Sequence, residues 1–165
     1  MTSIAVIDYG MGNLRSVSKA LEHVAPDAEV HVTSDPELVR QAERVVFPGQ
    51  GAMPDCMREM DARGLRPAVL EAARSKPFLG ICIGLQMLFE RSEEGDTPGL
   101  GVLPGSVKRF PQQQMKDAQG GRLKVPPPPA VVVVAALDVV VELDWAGGDV
   151  LEQAVTTRAS ATIAR

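Results

Sequence analysis

Short apolar runs rich in β-branched residues recur through the first half of this chain, each closed by a glycine- or proline-bearing turn and followed by a stretch with helical spacing. Ile4-Ala5-Val6-Ile7 reads as a buried strand ended by Asp8-Tyr9-Gly10. Asn13 is placed to cap a helix in which Leu14, Val17, Ala20, Leu21 and Val24 recur at helical spacing. Residues 29–33 alternate as a second strand, and Asp35-Pro36 opens a short helix to about Ala42. Val45-Val46-Phe47 reads as a third strand, residues 65–74 as a helix, residues 78–81 as a fourth strand and residues 85–90 as the helix that continues from it. Strands alternating with helices predict an α/β fold: a three-layer, mostly parallel sheet with helices on both faces and right-handed crossovers. In such sheets ligands gather at the carboxyl ends of the strands, where the glycine-bearing turns after strands one, three and four would meet.

Composition narrows the function classes. A formal net charge of −4 gives no electrostatic reason to expect nucleic acid. The longest apolar run, residues 130–137, is too short to span a bilayer, and the N-terminus lacks the basic and apolar regions of a signal peptide. Cys56 and Cys82 make no disulfide framework, which fits a reducing, cytoplasmic location where a free thiolate survives. No His/Cys cluster has metal-ligand spacing, and no metal or cofactor is expected.

The strongest chemical signal is Gly80-Ile81-Cys82-Ile83-Gly84-Leu85-Gln86. A nucleophile between a strand and a helix sits on a tight turn, and glycine two residues to either side lets the chain turn there. Cys82 would then project above the sheet edge at a helix N-terminus that favours thiolate, with the Ile83 N–H aimed at a developing oxyanion. Taken in isolation, a G-x-C-x-G is equally compatible with a structural cysteine buried on a packed strand. Pro48-Gly49-Gln50-Gly51-Ala52-Met53 could offer a second backbone donor, or be an ordinary turn. Asp8-Tyr9-Gly10-Met11-Gly12-Asn13 carries Gly-x-Gly after a strand, but Arg15 stands where a dinucleotide fingerprint needs its third glycine. Cys56 reads as an incidental thiol at a helix start, Lys108 and Arg109 as surface charge, and His23 and His31 as structural or surface residues.

The segments at residues 8–16, 48–53 and 80–90 together resemble a class I glutamine amidotransferase, and more narrowly the histidine-biosynthesis branch of that family. Gly99-Leu100-Gly101-Val102-Leu103-Pro104-Gly105 and Arg122-Leu123-Lys124-Val125-Pro126 also fit. The resemblance implies that Cys82 attacks the side-chain amide of glutamine, releasing ammonia and leaving a γ-glutamyl thioester. It implies that Gly49, Gln50 and Gly51 form a mobile oxyanion strand with Ile83 as the other donor, and that Gln86 and Glu94 hold the substrate. It assigns Asn13 to a segment facing the partner, a (β/α)8-barrel cyclase that receives the ammonia and makes imidazole glycerol phosphate. Another elbow-cysteine enzyme, such as a cysteine peptidase, would leave Gln86 and the 48–53 segment without a role.

The pattern breaks near Pro126. Residues 1–125 read as an amidotransferase domain, and residues 126–165 as a Pro/Val-rich tail. The family takes its general base from a His-Pro-Glu segment after the nucleophile, and none follows Cys82 here. As written, the chain is therefore expected to be inactive, a partner-docking or regulatory homologue being the alternative, and its sheet is expected to keep an exposed edge. The tail is either a genuine divergent end or the product of a lost reading frame. The second account is preferred, because the break falls inside a family motif and a Val/Ala/Pro bias is what GC-rich DNA yields out of frame. On that account, an alternative frame beyond the codon for Pro126 encodes a His-Gly-Trp and a later His-Pro-Glu; sequencing across that codon checks it, and neither motif in either frame rules it out.

Overall fold

A computed structural model describes residues 1–109 and 132–135. Four strands, β1 (Ser3–Ile7), β2 (Glu29–Thr33), β3 (Arg44–Gly49) and β4 (Phe78–Cys82), form a parallel array in the order β2-β1-β3-β4. They are linked through α1 (Leu14–Val24), α2 (Pro36–Gln41), and the pair α3 (Met53–Ala62) and α4 (Arg66–Ser75). Because side chains alternate across a strand, β1 sends Ala5 and Ile7 to one face and Ile4 and Val6 to the other. The first face packs against Val39 of α2, Met53, Cys56, Met57 and Met60 of α3, and Ala68, Val69, Ala72 and Ala73 of α4. The second is covered by Leu14, Val17 and Leu21, one stripe of α1. The three-layer α/β arrangement expected from the alternation is thus present.

Local signals account for the starts of α1 and α2. The Asn13 side chain accepts the Ser16 N–H at 3.3 Å, and Asp35 accepts the Glu37 N–H at 2.8 Å ahead of Pro36 at the first helical position. The strand order reverses about β1, so the loops after β1 and β3 flank a switch point at the carboxyl edge, with β4 next to it.

The expected helix over residues 85–90 is not what forms. The helix α5 (Ile83–Gln86) is one turn long, and the chain then enters a strand, β5 (Phe89–Ser92). In a helix ending at residue 90 the carbonyls of residues 87–90 would be the last four, without intrahelical partners. Those carbonyls are taken from outside: Met87 accepts Leu100 N–H (2.7 Å), Leu88 accepts Val102 N–H (2.8 Å), Phe89 accepts Gly101 N–H (3.1 Å) and Glu90 accepts Gly99 N–H (2.9 Å). β5 becomes the centre of a second sheet, between β6 (Thr97–Pro98) and β7 (Leu103–Val107).

β4 is not the last strand of the sheet, and the unpaired edge falls one strand further out. A strand from the segment assigned to the tail, β8 (Val132–Ala135), pairs antiparallel with residues 78–81. Among the described residues β8 has no further neighbour. The rest of the tail, the start of the proline run and the 122–126 motif lie outside the described residues.

What holds α5 against the sheet is the absence of two side chains. A Cβ on Gly84 would fall on the Phe47 carbonyl oxygen, and one on Gly80 would lie 2.8 Å from Leu85 Cα. Gly84→Ala therefore forces backbone apart from backbone, with an expected cost of about 3 kcal/mol or more. Urea denaturation compared with wild type measures it; a change below about 0.5 kcal/mol would show that the approach is not tight.

Candidate active site

Cys82 ends β4 and caps α5, with φ +56° and ψ −118°. A non-glycine residue in such a conformation costs on the order of 1–3 kcal/mol and persists only where its surroundings enforce it. The enforcing contacts are those of Gly80 and Gly84, which drive the chain from strand into helix within two residues. The outcome is an exposed free thiol at the carboxyl edge of the sheet, not a packed strand cysteine. The expected contribution of a helix dipole is reduced, since α5 is a single turn. What remains is the set of N–H groups that a helix start leaves without intrahelical partners, beginning with that of Ile83.

The β3–β4 register sets Gly49 opposite Cys82, so the 49–52 loop leaves the sheet beside the thiol. Gly49 is wedged in: its Cβ would lie 2.6 Å from both Gly84 N and the Tyr9 hydroxyl. Gln50 is exposed, and Gly51 takes φ +106° next to the Met11 methyl. Gly49, Gln50, Gly51, Cys82 and Ile83 are therefore gathered in one place.

Beneath that loop lie two residues that sequence reasoning treated as unremarkable. Tyr9 is wholly buried and stacks obliquely on Phe47, with ring centroids 5.4 Å apart. Its hydroxyl has no hydrogen-bond partner; the Cys56 sulfur beside it is close enough to interact but does not meet it in hydrogen-bonding geometry. Burial, and then the neighbouring thiols, push its ionisation well above the ordinary phenol range. Cys56 is buried in α3 and donates to the Gln50 carbonyl at 3.5 Å; burial pushes its thiol up. Cys56 is thus part of the floor under the loop, not an incidental thiol.

Gln86 and Glu94 meet in a cavity of about 270 Å³ together with Ser92, Val107, Lys108 and Arg109. Cys82 is outside that lining. Lys108 and Arg109 are exposed, as expected of surface charge, and also line this cavity. Glu93 binds them in place by accepting the Arg109 backbone N–H (2.9 Å) and pairing with Lys108 Nζ (3.0 Å), which together hold its carboxyl below the usual range. The cavity wall thus carries both signs of charge. Glu94 is half-buried, and its Oε2 accepts the Met53 N–H at 3.0 Å. Asn13 stands apart, exposed at the start of α1 on the same sheet edge.

No histidine joins the group. His23 is exposed at the end of α1, and His31 is exposed on β2, where it lies 3.3 Å from Glu29. With β1 and β3 between β2 and β4, strand spacing alone separates β2 from β4 by about 14 Å. Among the described residues no group of three His, Cys, Asp or Glu could hold a metal ion, and no helix is long and apolar enough to cross a membrane.

A family model, glutamine amidotransferase class-I, matches residues 5–135. A protein of Nitrosospira multiformis named imidazole glycerol phosphate synthase subunit HisH is 71% identical over 126 residues, covering 76% of this chain and 59% of that protein. The equally named protein of Aromatoleum aromaticum is also 71% identical over 126 residues, with the same coverage. That of Dechloromonas aromatica is 73% identical over 124 residues, covering 75% of this chain and 58% of its own length. The chain therefore spans less than two thirds of these relatives.

The contrast between the two cysteines is testable. In the folded protein iodoacetamide is expected to alkylate Cys82 at least about a hundredfold faster than Cys56, because only the exposed thiol can be approached. Peptide mapping over time reads both rates, and comparable rates would mean that the elbow is not formed.

Proposed function

This chain belongs to the class I glutamine amidotransferase family, and we propose that it is the glutaminase subunit of imidazole glycerol phosphate synthase. In this reading it releases ammonia from glutamine and passes it to a (β/α)8-barrel cyclase subunit, in the cytoplasm, during histidine biosynthesis. The observation that carries the reading is the exposed Cys82 on a strained elbow beside a glycine-bearing loop.

The chemistry follows from those parts. The Cys82 sulfur attacks the side-chain amide carbon of glutamine, and the carbonyl electron pair moves onto oxygen. That oxyanion is met by the Ile83 N–H and by N–H groups of the Gly49–Gln50–Gly51 stretch, donors aimed where charge develops. Collapse breaks the C–N bond; the nitrogen takes up a proton and leaves as ammonia. Water then cleaves the γ-glutamyl thioester, giving glutamate and the free thiol. Glu94 suits the substrate ammonium, Gln86 its polar head, and the cationic wall of Lys108 and Arg109 its carboxylate. Asn13, on the same sheet edge, faces the cyclase.

Proton transfer is the weak link. Both histidines of the chain are distant from Cys82, which favours a second reading: a partner-docking homologue that binds the cyclase without turning over glutamine. Loss of a triad member leaves only oxyanion stabilisation and binding. This 165-residue chain, with or without the cyclase, is expected to release glutamate at least about a thousandfold more slowly than an amidotransferase with an intact His–Glu pair. A coupled glutamate assay checks it. Turnover near the family's level would overturn the expected inactivity. Failure of a glutamine-like electrophile to label Cys82 would overturn the glutaminase reading and leave docking, measured by binding to the barrel subunit, as the surviving one.

A further inference from the structure

The helix α3 begins without a local cap. Its N-cap position is Ala52, which offers no side-chain acceptor, although Ser, Thr, Asp or Asn is the usual choice there. The missing acceptor arrives from 41 residues further along the chain: Glu94 Oε2 takes the Met53 N–H at 3.0 Å. This is no chance approach of a mobile surface carboxylate. The Glu94 N–H is held by Ser92 Oγ at 3.2 Å, and its carbonyl accepts from Thr97 Oγ1 at 2.7 Å, both hydroxyl residues being buried. The adjoining turn is seated on the first turn of α3, since Gly95 (φ +63°) would bring a Cβ within 2.7 Å of Pro54 Cγ. One bond to the carboxylate and three bonds or contacts to the adjoining backbone thus hold Glu94 at the point where the 49–52 loop enters α3. Glu94 also lines the cavity with Gln86, Lys108 and Arg109.

We propose that Glu94 is a positioning residue for the loop beside Cys82: by capping α3 from the cavity wall, it fixes the exit of the 49–52 loop and ties that loop to whatever occupies the cavity. A capping side chain at residue 52 would accept from the Asp55 N–H, since Pro54 has none, and would leave the Met53 N–H and the loop independent of the cavity. The inference rests on the reading of the cavity as a site for a glutamine-like amino acid. It goes beyond that reading in giving one carboxylate two separable duties, reach and charge.

Two substitutions separate them. E94Q keeps an oxygen acceptor at the same distance and removes the charge. E94D keeps the charge and withdraws the carboxylate by roughly one C–C bond, about 1.5 Å, which carries it out of hydrogen-bonding range of Met53 N. Both are made in the full chain and compared with wild type in two measurements. One is hydrogen exchange at the Met53 amide. The other is inactivation by an L-configured amino-acid chloroketone of glutamine shape, in which the Cys82 sulfur displaces chloride and forms a thioether; its ketone oxygen stands for the substrate amide oxygen, and KI and kinact are resolved separately. For E94D, Met53 exchange is expected to rise about tenfold and kinact to fall about tenfold. For E94Q, exchange and kinact are expected to stay within about threefold of wild type, while KI rises about tenfold or more. A merely structural cap would alter exchange without splitting kinact from KI between the two variants. Unchanged Met53 exchange in E94D, or a kinact that falls as far in E94Q as in E94D, overturns the proposal. Failure of the reading beneath it looks different: wild-type inactivation would then show no saturation, and the inference would stand refuted as a link to the cavity even where E94D releases the Met53 amide.

Discussion

The elbow depends on one backbone touching another. The first turn of α5 lies so close to β3 that only hydrogen fits at Gly84, where any Cβ would meet the Phe47 carbonyl oxygen. Gly80 removes a second obstacle on the strand side, and Gly49 a third on the loop side. Between them Cys82 is pressed into a conformation that side-chain-bearing residues avoid, and the strain is borne by packing among Tyr9, Phe47, Phe78 and the α3 methionines. A thiol displayed in this way is reachable because the residues around it are buried.

The same tightness accounts for the polar floor of the site. Tyr9 sits directly under Gly49, with its buried hydroxyl beside the Cys56 sulfur. Cys56 beside it spends its proton on the Gln50 carbonyl. Glu94 reaches the same loop from the opposite side through the Met53 N–H. The segment next to the nucleophile is therefore held from below by α3 and from the side by the second sheet. Neither the loop nor the cavity is an independent surface feature.

Chemical incompleteness coexists with this order. An exposed thiol, helix-start N–H groups, a glycine-bearing loop and a nearby cavity with both signs of charge are all in position. Neither histidine joins them: His23 is exposed at the end of α1 and His31 is exposed on β2, with two strands between it and β4. Oxyanion stabilisation and base catalysis are separable contributions.

Residue order alone determined the parallel α/β core. Apolar runs of period two, capped turns at Asn13 and Asp35, and glycines bracketing Cys82 are local signals, and local physics honours them. The motif segments likewise marked Cys82, the 49–51 stretch, Gln86 and Glu94. Tertiary structure decided the rest. Residues 85–90 read as a helix, yet the chain leaves α5 after one turn and pairs with residues 97–107, a contact between segments that no local signal announces. Lys108 and Arg109 are the exposed charges that the sequence suggests, and only the end of β7 shows that they stand at the rim of the cavity. The cap of α3 was not legible at all, because its acceptor lies 41 positions away and nothing in the sequence around Ala52 calls for it. Periodicity and caps act within a few residues; which distant group satisfies a bare carbonyl or N–H is settled only when the elements pack.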